Sequence, residues 1–196
     1  MIRLIRLSNN NFKNSIFINL ILLVIIVIIY IFTTYNSLVK LKNQVKDADA
    51  TLNAYLKKRW DLIPNLVETV KGYAAHEKNT LLEIIQMRKQ TYSSMSEEEK
   101  TQTNKQLSRN VNKLLALAEA YPELKANENF MNLSNQLKSV EEDIVNARKY
   151  YNATVRIYNN KVEMIPSNIV ANIFGFKLKN MFEMNEEEKE NVKVSF

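Results

Sequence analysis

One apolar stretch, residues 16–32, constrains this chain more than any other feature. It begins at Ile16, ends at Phe32, contains no charge, no glycine and no proline, and has Asn19 as its one strongly polar side chain. With residues 33–35 it reaches the roughly 20 residues that a helix needs to cross a bilayer. A segment in lipid must satisfy its own backbone hydrogen bonds, so we expect a transmembrane helix with membrane lipid as its partner.

A cleaved secretory signal is the alternative for the same stretch, and the basic start of the chain fits it. The apolar run exceeds the about 7–15 residues of a signal core, however, and the following Thr-Thr-Tyr-Asn lacks the small residues of a cleavage site. We therefore expect an uncleaved, single-pass anchor. Three basic residues precede the stretch and three follow it within residues 36–46, so the positive-inside rule leaves the orientation open.

Composition favours long helices and limits the functions available. The chain of 196 residues has Gly 2 and Pro 3, and strands and tight turns use both residues heavily. Lys+Arg 27 against Asp+Glu 21 gives a charge of +6 that is spread along the sequence, which is typical of a solvated surface. Nucleic-acid binding would need clustered basic residues, so we expect no nucleic-acid partner. Cys 0 excludes disulfides and cysteine nucleophiles.

The remaining pattern predicts an all-α fold, in which an antiparallel up-down bundle of about four helices follows the membrane helix. Apolar residues recur at alternating steps of three and four, with breaks at residues 74–79, 93–96 and 122, and the first and last helices are long. A homo-oligomeric coiled coil is the alternative, but these breaks favour antiparallel packing within one chain. The predicted parts are a basic lead (1–15), a transmembrane helix (16–35), a bundle (36–166) and a short helix with an extended tail (167–196).

Four local expectations accompany this fold. Pro64 should bend the first helix without ending it, because apolar spacing resumes after it. Arg59 occupies an apolar seam position and should be half-buried, with its head paired or snorkelling. If it lies in the seam, an acidic partner such as Glu119 or Glu128 should be near it. After a second helix near residues 77–92, Pro122 should stop the third helix, and the fourth should begin near Asn127 and be ended by Pro166. In the last part, Ser167 should cap a helix over residues 168–174 that ends at a glycine.

The sequence lacks the residue patterns of known catalytic sites. His76 is the one histidine, and no cysteine or second histidine could complete a metal site or a nucleophile–base pair with it. Within each acidic triplet, at 97–99 and at 186–188, adjacent side chains on a helix would point in different directions, so they do not converge on one site. We interpret the triplets as helix capping and solvated charge. We therefore expect a protein that is not an enzyme, with no cofactor, no metal and no small-molecule substrate.

Two candidate interaction surfaces remain, and unidentified protein partners are expected for them. The first is the predicted bend at Trp60 and Pro64, where core packing is the alternative because large aromatic side chains are usually buried. The second is the C-terminal tail with Val192, Val194 and Phe196, whose apolar and polar residues alternate as in an added strand. Docking of this tail on its own bundle is the alternative.

Several of these stretches together resemble the LemA family of bacterial proteins. The similarity lies in DLIPNLVETVKGY (residues 61–73), LLALAEAYPELKANENF (114–130), the Tyr-Asn pairs at 151–152 and 158–159, PSN (166–168), FGFK (174–177) and the closing residues 192–196. It extends over nearly everything after the apolar stretch. Leu178 and Asn191 depart from it, since members often have proline there.

The resemblance implies one N-terminal membrane helix in the bacterial cell membrane and a helical-bundle domain. It implies no established activity, cofactor or ligand, and it places the bundle on the cytoplasmic side. The sequence is thus interpreted as a membrane-anchored bundle that acts as a scaffold or regulator of other membrane or envelope proteins. A ligand-sensing bundle is the alternative, although no second stretch is long enough to carry a signal back across a membrane.

Overall fold

The computed structural model describes residues 2–73, 95 and 97–182, and these confirm the all-α fold. Within them the elements are all helical, joined by turns and followed by a non-helical segment, residues 176–182. The helices are α1 (Ile2–Lys71), α2 (Glu97–Ala120), α3 (Pro122–Lys125), α4 (Glu128–Glu163) and α5 (Ser167–Ile173).

The apolar stretch and the first bundle helix belong to one continuous helix, α1. Its 70 residues include Pro64, and the helix continues for seven more residues to Lys71. Pro64 removes one backbone N–H donor, but the apolar side chains on either side of it remain packed in a core, which offsets that loss. The expectation that the helix passes through the proline is confirmed. Gly72 and Tyr73 then form a turn, and the predicted second helix, near residues 77–92, lies outside the described residues.

The third predicted helix is α2, and it ends at Ala120 as the approaching Pro122 requires. Tyr121 has φ −126° and ψ 87°, which is outside the helical range. The expectation that Pro122 only stops a helix is incomplete, because it also begins the single turn α3. A proline is favoured at a first helical position, where its missing N–H would have no intrahelical partner.

Helix α4 has the predicted start. The Phe130 backbone N–H donates to Asn127 Oδ1 at 3.0 Å, which makes Asn127 the side-chain cap of the helix. The predicted end was Pro166, whereas α4 ends at Glu163.

The expected capping role of Ser167 is wrong. Ser167 is the first residue of α5, and its hydroxyl donates backwards to the Met164 carbonyl at 2.8 Å. At the other end, Gly175 has φ 70°, and its N–H donates to the Asn172 carbonyl while the Phe176 N–H donates to the Ala171 carbonyl. This pair of bonds is a Schellman motif, so the predicted glycine stop is confirmed.

The chain divides into two compact units. The first unit comprises Met1–Lys46 and Ala153–Met181, and the second comprises Asp47–Asn152 and Phe182–Phe196. In the first unit, beyond the apolar stretch, one set of side chains is buried: Thr34, Leu38, Val45, Thr154, Val155, Tyr158, Val162, Ser167, Val170 and Ala171.

The second unit contains two apolar clusters that follow the predicted seams. The larger cluster gathers side chains from α1, α2, α3 and α4: Trp60, Ile63, Leu66, Val67, Val70, Met95, Leu107, Val111, Leu114, Ala118, Leu124, Phe130 and Leu137. The smaller cluster contains Leu52, Leu56, Val140, Ile144 and Ala147.

Helices α1 and α4 are antiparallel within the second unit, as two contacts show. Arg59 binds Glu141, and Tyr73 accepts a hydrogen bond from Asn127 at 2.9 Å. From Arg59 on α1 to Tyr73, just after the end of α1, the chain advances by 14 residues, while the partner moves back by 14 residues, from Glu141 on α4 to Asn127, just before α4 begins. This fixed register aligns the apolar seams of the two helices over four turns.

Candidate functional site

The two residues of the predicted interaction surface at the bend, Trp60 and Pro64, differ in burial. Trp60 is 5% exposed and belongs to the larger apolar cluster, as the core-packing alternative requires. Pro64, one turn later, is half-buried. The tail residues Val192, Val194 and Phe196 lie outside the described residues, so an interaction through the tail stays a prediction.

Next to Trp60, the buried side chain of Arg59 organises a polar cluster in the second unit. Its Nη1 donates to Glu141 Oε1 at 2.9 Å and to Ser108 Oγ at 2.7 Å. Its Nη2 donates to Asn104 Oδ1 at 2.7 Å. The guanidinium belongs to α1, and its partners belong to α2 and α4. Because these hydrogen bonds are directional, they fix the rotation of the three helices about their axes relative to one another. We call Arg59, Asn104, Ser108 and Glu141 the arginine cluster.

The partner of Arg59 differs from the predicted ones. Its pairing with a carboxylate is confirmed, but the side chain is fully buried where half-burial was predicted, and the carboxylate is Glu141, not Glu119 or Glu128. Glu119 instead binds Lys125 at 2.7 Å on the surface, where both side chains are more than half exposed. The periodicity of one helix places a residue on a face, but the partner depends on the register between helices, which the sequence does not specify.

The arginine cluster has the chemistry of a structural element. Both oxygens of Glu141 accept hydrogen bonds from Arg59, at 2.9 and 3.1 Å. The Ser108 hydroxyl faces the Arg59 guanidinium, which has donors only and therefore cannot remove the hydroxyl proton. Among the described residues, no group of three or more His, Cys, Asp or Glu side chains could hold a metal ion.

A second polar feature, in the first unit, holds the segment that follows α5. The buried Tyr158 hydroxyl donates to the Lys177 carbonyl at 2.9 Å, and burial raises the pKa of Tyr158 above its usual value. The adjacent Asn159 side chain donates to the Lys179 carbonyl at 2.8 Å and accepts from the Lys179 N–H at 2.9 Å. We call such a two-way bond between one asparagine amide and one backbone residue an amide clamp.

The second unit contains another amide clamp of the same design. Asn152 donates to the Phe182 carbonyl at 3.0 Å and accepts from the Phe182 N–H at 2.9 Å. The ring of Tyr151 meets the ring of Phe182 edge to face, with 5.1 Å between centroids. Sequence reasoning missed both clamps. The available signal was the Tyr-Asn pair of α4, which recurs seven residues later and so returns to the same helix face.

An aromatic group marks the end of the apolar stretch in the first unit. The ring of Tyr35 lies 4.7 Å from the ring of Phe174 and 5.8 Å from that of Phe176. Lys42 Nζ lies over the Phe176 ring, 5.9 Å from its centroid, within the range of a cation–π interaction. The residues just after α5 therefore pack against α1 where its apolar stretch has just ended.

The apolar stretch itself is not packed against any described part of the protein. From Ile16 to Ile29 its large apolar side chains are 44–64% exposed. In the described part of the chain, one helix is long and apolar enough to cross a membrane, with a mean hydropathy of 3.1 over its most apolar window and 0% of that window buried. A core helix would be mostly buried, so this exposure separates the apolar stretch from a core helix; a membrane anchor and a signal sequence near the N-terminus both fit it.

Comparison with known proteins agrees with this architecture. The family model described as "LemA family" matches residues 48–196. The chain is also 24% identical, over 161 residues, to a protein of Metamycoplasma hominis named "Protein LemA". That match includes 82% of this chain and 74% of the relative.

Proposed function

The chain belongs to the LemA family, and from this premise we propose that it is a membrane-anchored helical-bundle protein that acts as a scaffold or regulator of other membrane or envelope proteins. The observation that carries the proposal is the exposed apolar part of α1. It is continuous with the helix whose later residues form the core of the second unit. The same helix therefore contains the proposed anchor and part of the core of the second unit.

The C-terminal tail is the proposed contact with protein partners. Amide clamps at Lys179 and Phe182 hold the last described residues of the chain before it. Val192, Val194 and Phe196 alternate with polar residues, as a strand added to the edge of a partner's sheet would require. In this proposal the buried Trp60 stabilises the core and does not contact a partner.

The proposal contains no catalytic step. Glu141 is engaged through both oxygens by Arg59, and the cluster around them joins helices together. Arginine at such a site is a rigid five-donor fork that fixes helix register. The arginine cluster therefore holds the helices of the second unit in a defined arrangement, which is what a scaffold needs.

Cross-linking in native membranes tests the scaffold proposal. The full chain is compared with a variant lacking residues 192–196 and with a control fusion of residues 1–35 to an unrelated helical bundle. We expect specific proteins to be cross-linked to the full chain, lost from the truncated variant and absent from the control fusion. If the truncation lowers thermal stability but leaves every cross-linked protein in place, the tail is not the contact. If the full chain and the control fusion yield the same proteins, the scaffold proposal fails.

The cytoplasmic side, which the family resemblance favours, is tested separately. Because the chain has Cys 0, an exposed position of α2 can carry the one reporter thiol, as in Lys113→Cys. We expect a membrane-impermeant maleimide to label it only after cell lysis. Labelling of intact cells would place the second unit outside and direct the search to envelope partners. The native chain without cysteine is the blank.

A further inference from the structure

The short helix α5 presents apolar side chains outwards, the reverse of an ordinary surface helix. Its inner side contains the buried Val170 and Ala171, while Ile169 is 58% and Ile173 68% exposed. Ile165, four residues before Ile169, is 82% exposed. A spacing of four places Ile169 and Ile173 on one face of α5, and Ile165 lies in the turn just before the helix. We call these three exposed side chains the stripe. An exposed apolar stripe of this kind marks a membrane or protein contact.

The stripe lies close to the end of the apolar part of α1, within the same unit. Tyr35 is three residues after Phe32, so at the helical rise it lies about 4.5 Å beyond the apolar stretch. Phe174, the residue directly after α5, contacts the Tyr35 ring at 4.7 Å. Tyrosine and other aromatic residues are typical of the level where hydrocarbon meets headgroups. The contact therefore places the end of α5 at that level.

The charges around the stripe are mostly positive and therefore complement an anionic surface. Beyond the apolar stretch, the described part of the first unit contains seven basic side chains and one carboxylate, that of Glu163. The basic residues are Lys40, Lys42, Lys46, Arg156, Lys161, Lys177 and Lys179. Such an excess attracts anionic lipid headgroups, whereas a second copy of the same face would bring like charges together.

From this arrangement we propose that the stripe of Ile165, Ile169 and Ile173 lies in the headgroup region of the membrane that the apolar stretch crosses. Helix α5 is then an interfacial helix, and lipid is the partner of its exposed face. This inference rests on the proposed membrane anchor and adds a second, in-plane contact to it. An amphipathic helix of this kind buries its apolar side chains about 5–10 Å into the boundary between headgroups and acyl chains.

Depth-dependent quenching in vesicles tests the inference on the full chain. Single-cysteine variants Val24→Cys, Ile165→Cys, Ile169→Cys and Ile157→Cys each receive an environment-sensitive fluorophore. They are reconstituted into phosphatidylcholine–phosphatidylglycerol vesicles containing lipids with a nitroxide either near the headgroup or deep in the acyl chain. Ile157 is the matched control, because it is 53% exposed in the same unit and lies six residues before the end of α4.

The expected result is shallow quenching at both Ile165 and Ile169. The shallow nitroxide should quench the fluorophores at Ile165 and Ile169 at least about twofold more than the fluorophore at Ile157. The deep nitroxide should quench the fluorophore at Val24. Ile165 precedes α5 and is the more exposed position, so its replacement tests the inference even if Ile169→Cys disturbs packing.

Other outcomes overturn the inference in distinguishable ways. Quenching at Val24, with Ile165 and Ile169 no different from Ile157, would leave the anchor intact and refute the interfacial helix. Blue-shifted emission at Ile169 without lipid quenching would mean that protein covers the stripe. Absence of deep quenching at Val24 would refute the anchor and the inference together.

Discussion

The guanidinium of Arg59, buried in the second unit, forms an ion pair with the carboxylate of Glu141 at 2.9 Å, 82 residues away in the sequence. The Arg59 side chain is fully buried, whereas that of Glu141 is 30% exposed. A buried positive charge is tolerated only when it is paired and hydrogen-bonded. The pair therefore specifies the antiparallel register of α1 and α4.

Removal of Glu141 should strongly destabilise the protein. Glu141→Ala leaves a buried guanidinium without its counter-charge, and we expect a loss of about 2–4 kcal/mol, below the largest values for fully buried pairs because water reaches the Glu141 side. Chemical denaturation of the full chain in detergent measures this loss. The matched control Glu119→Ala breaks the exposed pair with Lys125 and should change the free energy of unfolding by about 1 kcal/mol or less. Equal losses in the two variants would contradict the role assigned to the arginine cluster.

The amide clamp of Asn159 should control hydrogen exchange at one backbone position. The Lys179 N–H lies outside regular secondary structure and donates to Asn159 Oδ1. Asn159→Ala removes that acceptor, and exchange at Lys179 should become about tenfold faster, the equivalent of one hydrogen bond. Asn160→Ala, at the exposed neighbouring position, is the control and should leave exchange at Lys179 unchanged. Unaltered protection at Lys179 in Asn159→Ala would show that the clamp does not hold the segment.

The Tyr158 hydroxyl should make the first unit sensitive to alkaline pH. Burial raises the pKa of Tyr158 in the folded state, so the neutral form is favoured by folding. Its contribution to stability is fully present below the unfolded pKa of about 10 and is lost as pH rises through the higher folded pKa. Tyr158→Phe cannot ionise, so its melting temperature should fall less between pH 9 and pH 12, values chosen to bracket the tyrosine range.

The control for this titration is Tyr150→Phe, which removes an exposed phenol from the same helix. Its melting temperature should fall with rising pH as much as that of the native chain. If Tyr158→Phe and the native chain lose stability in parallel, ionisation of Tyr158 is not the cause.

The two glycines should respond differently to alanine. Gly175 has φ 70° in the Schellman motif after α5, a conformation that an L-residue adopts at a cost of about 1–2 kcal/mol. An added Cβ there would meet nothing within 4 Å, so the loss comes from the backbone alone. At Gly72 the Cβ would meet Thr69 O at 3.6 Å, an ordinary contact, and φ is not positive.

Melting temperatures of the two alanine variants measure this difference. Gly175→Ala should be clearly less stable than the native chain, and Gly72→Ala should lie within about 0.5 kcal/mol of it. A larger loss for Gly72→Ala would contradict the assignment of the helix stop to Gly175.

The helices could be predicted because the information for them is local. Steps of three and four identified the faces of α2 and α4, and Asn127 gave the start of α4 correctly. The interrupted seam of α1 also predicted a paired Arg59, although it indicated half-burial and the side chain is fully buried. These features depend on residues within one or two turns of each other.

The contacts that join distant segments could not be predicted in the same way. Glu141 becomes the partner of Arg59 only through the register between α1 and α4, and the sequence offered Glu119 and Glu128 as equal choices. The clamp at Lys179 uses backbone atoms, which every residue possesses, so only its asparagine is visible in the sequence. Ser167 was misassigned because a serine near a helix start can donate backwards as well as cap.

Fractionation of cells followed by alkaline carbonate extraction tests the central claim, that an uncleaved helix anchors this protein in the membrane. The account predicts that the full-length chain, with its N-terminal residues 1–35 detected by mass spectrometry, stays in the extracted membrane pellet. A chain that begins after residue 35 and appears in the soluble fraction would identify a cleaved signal. A full-length chain released by carbonate would show that the apolar helix does not cross the bilayer, and either result would contradict the account.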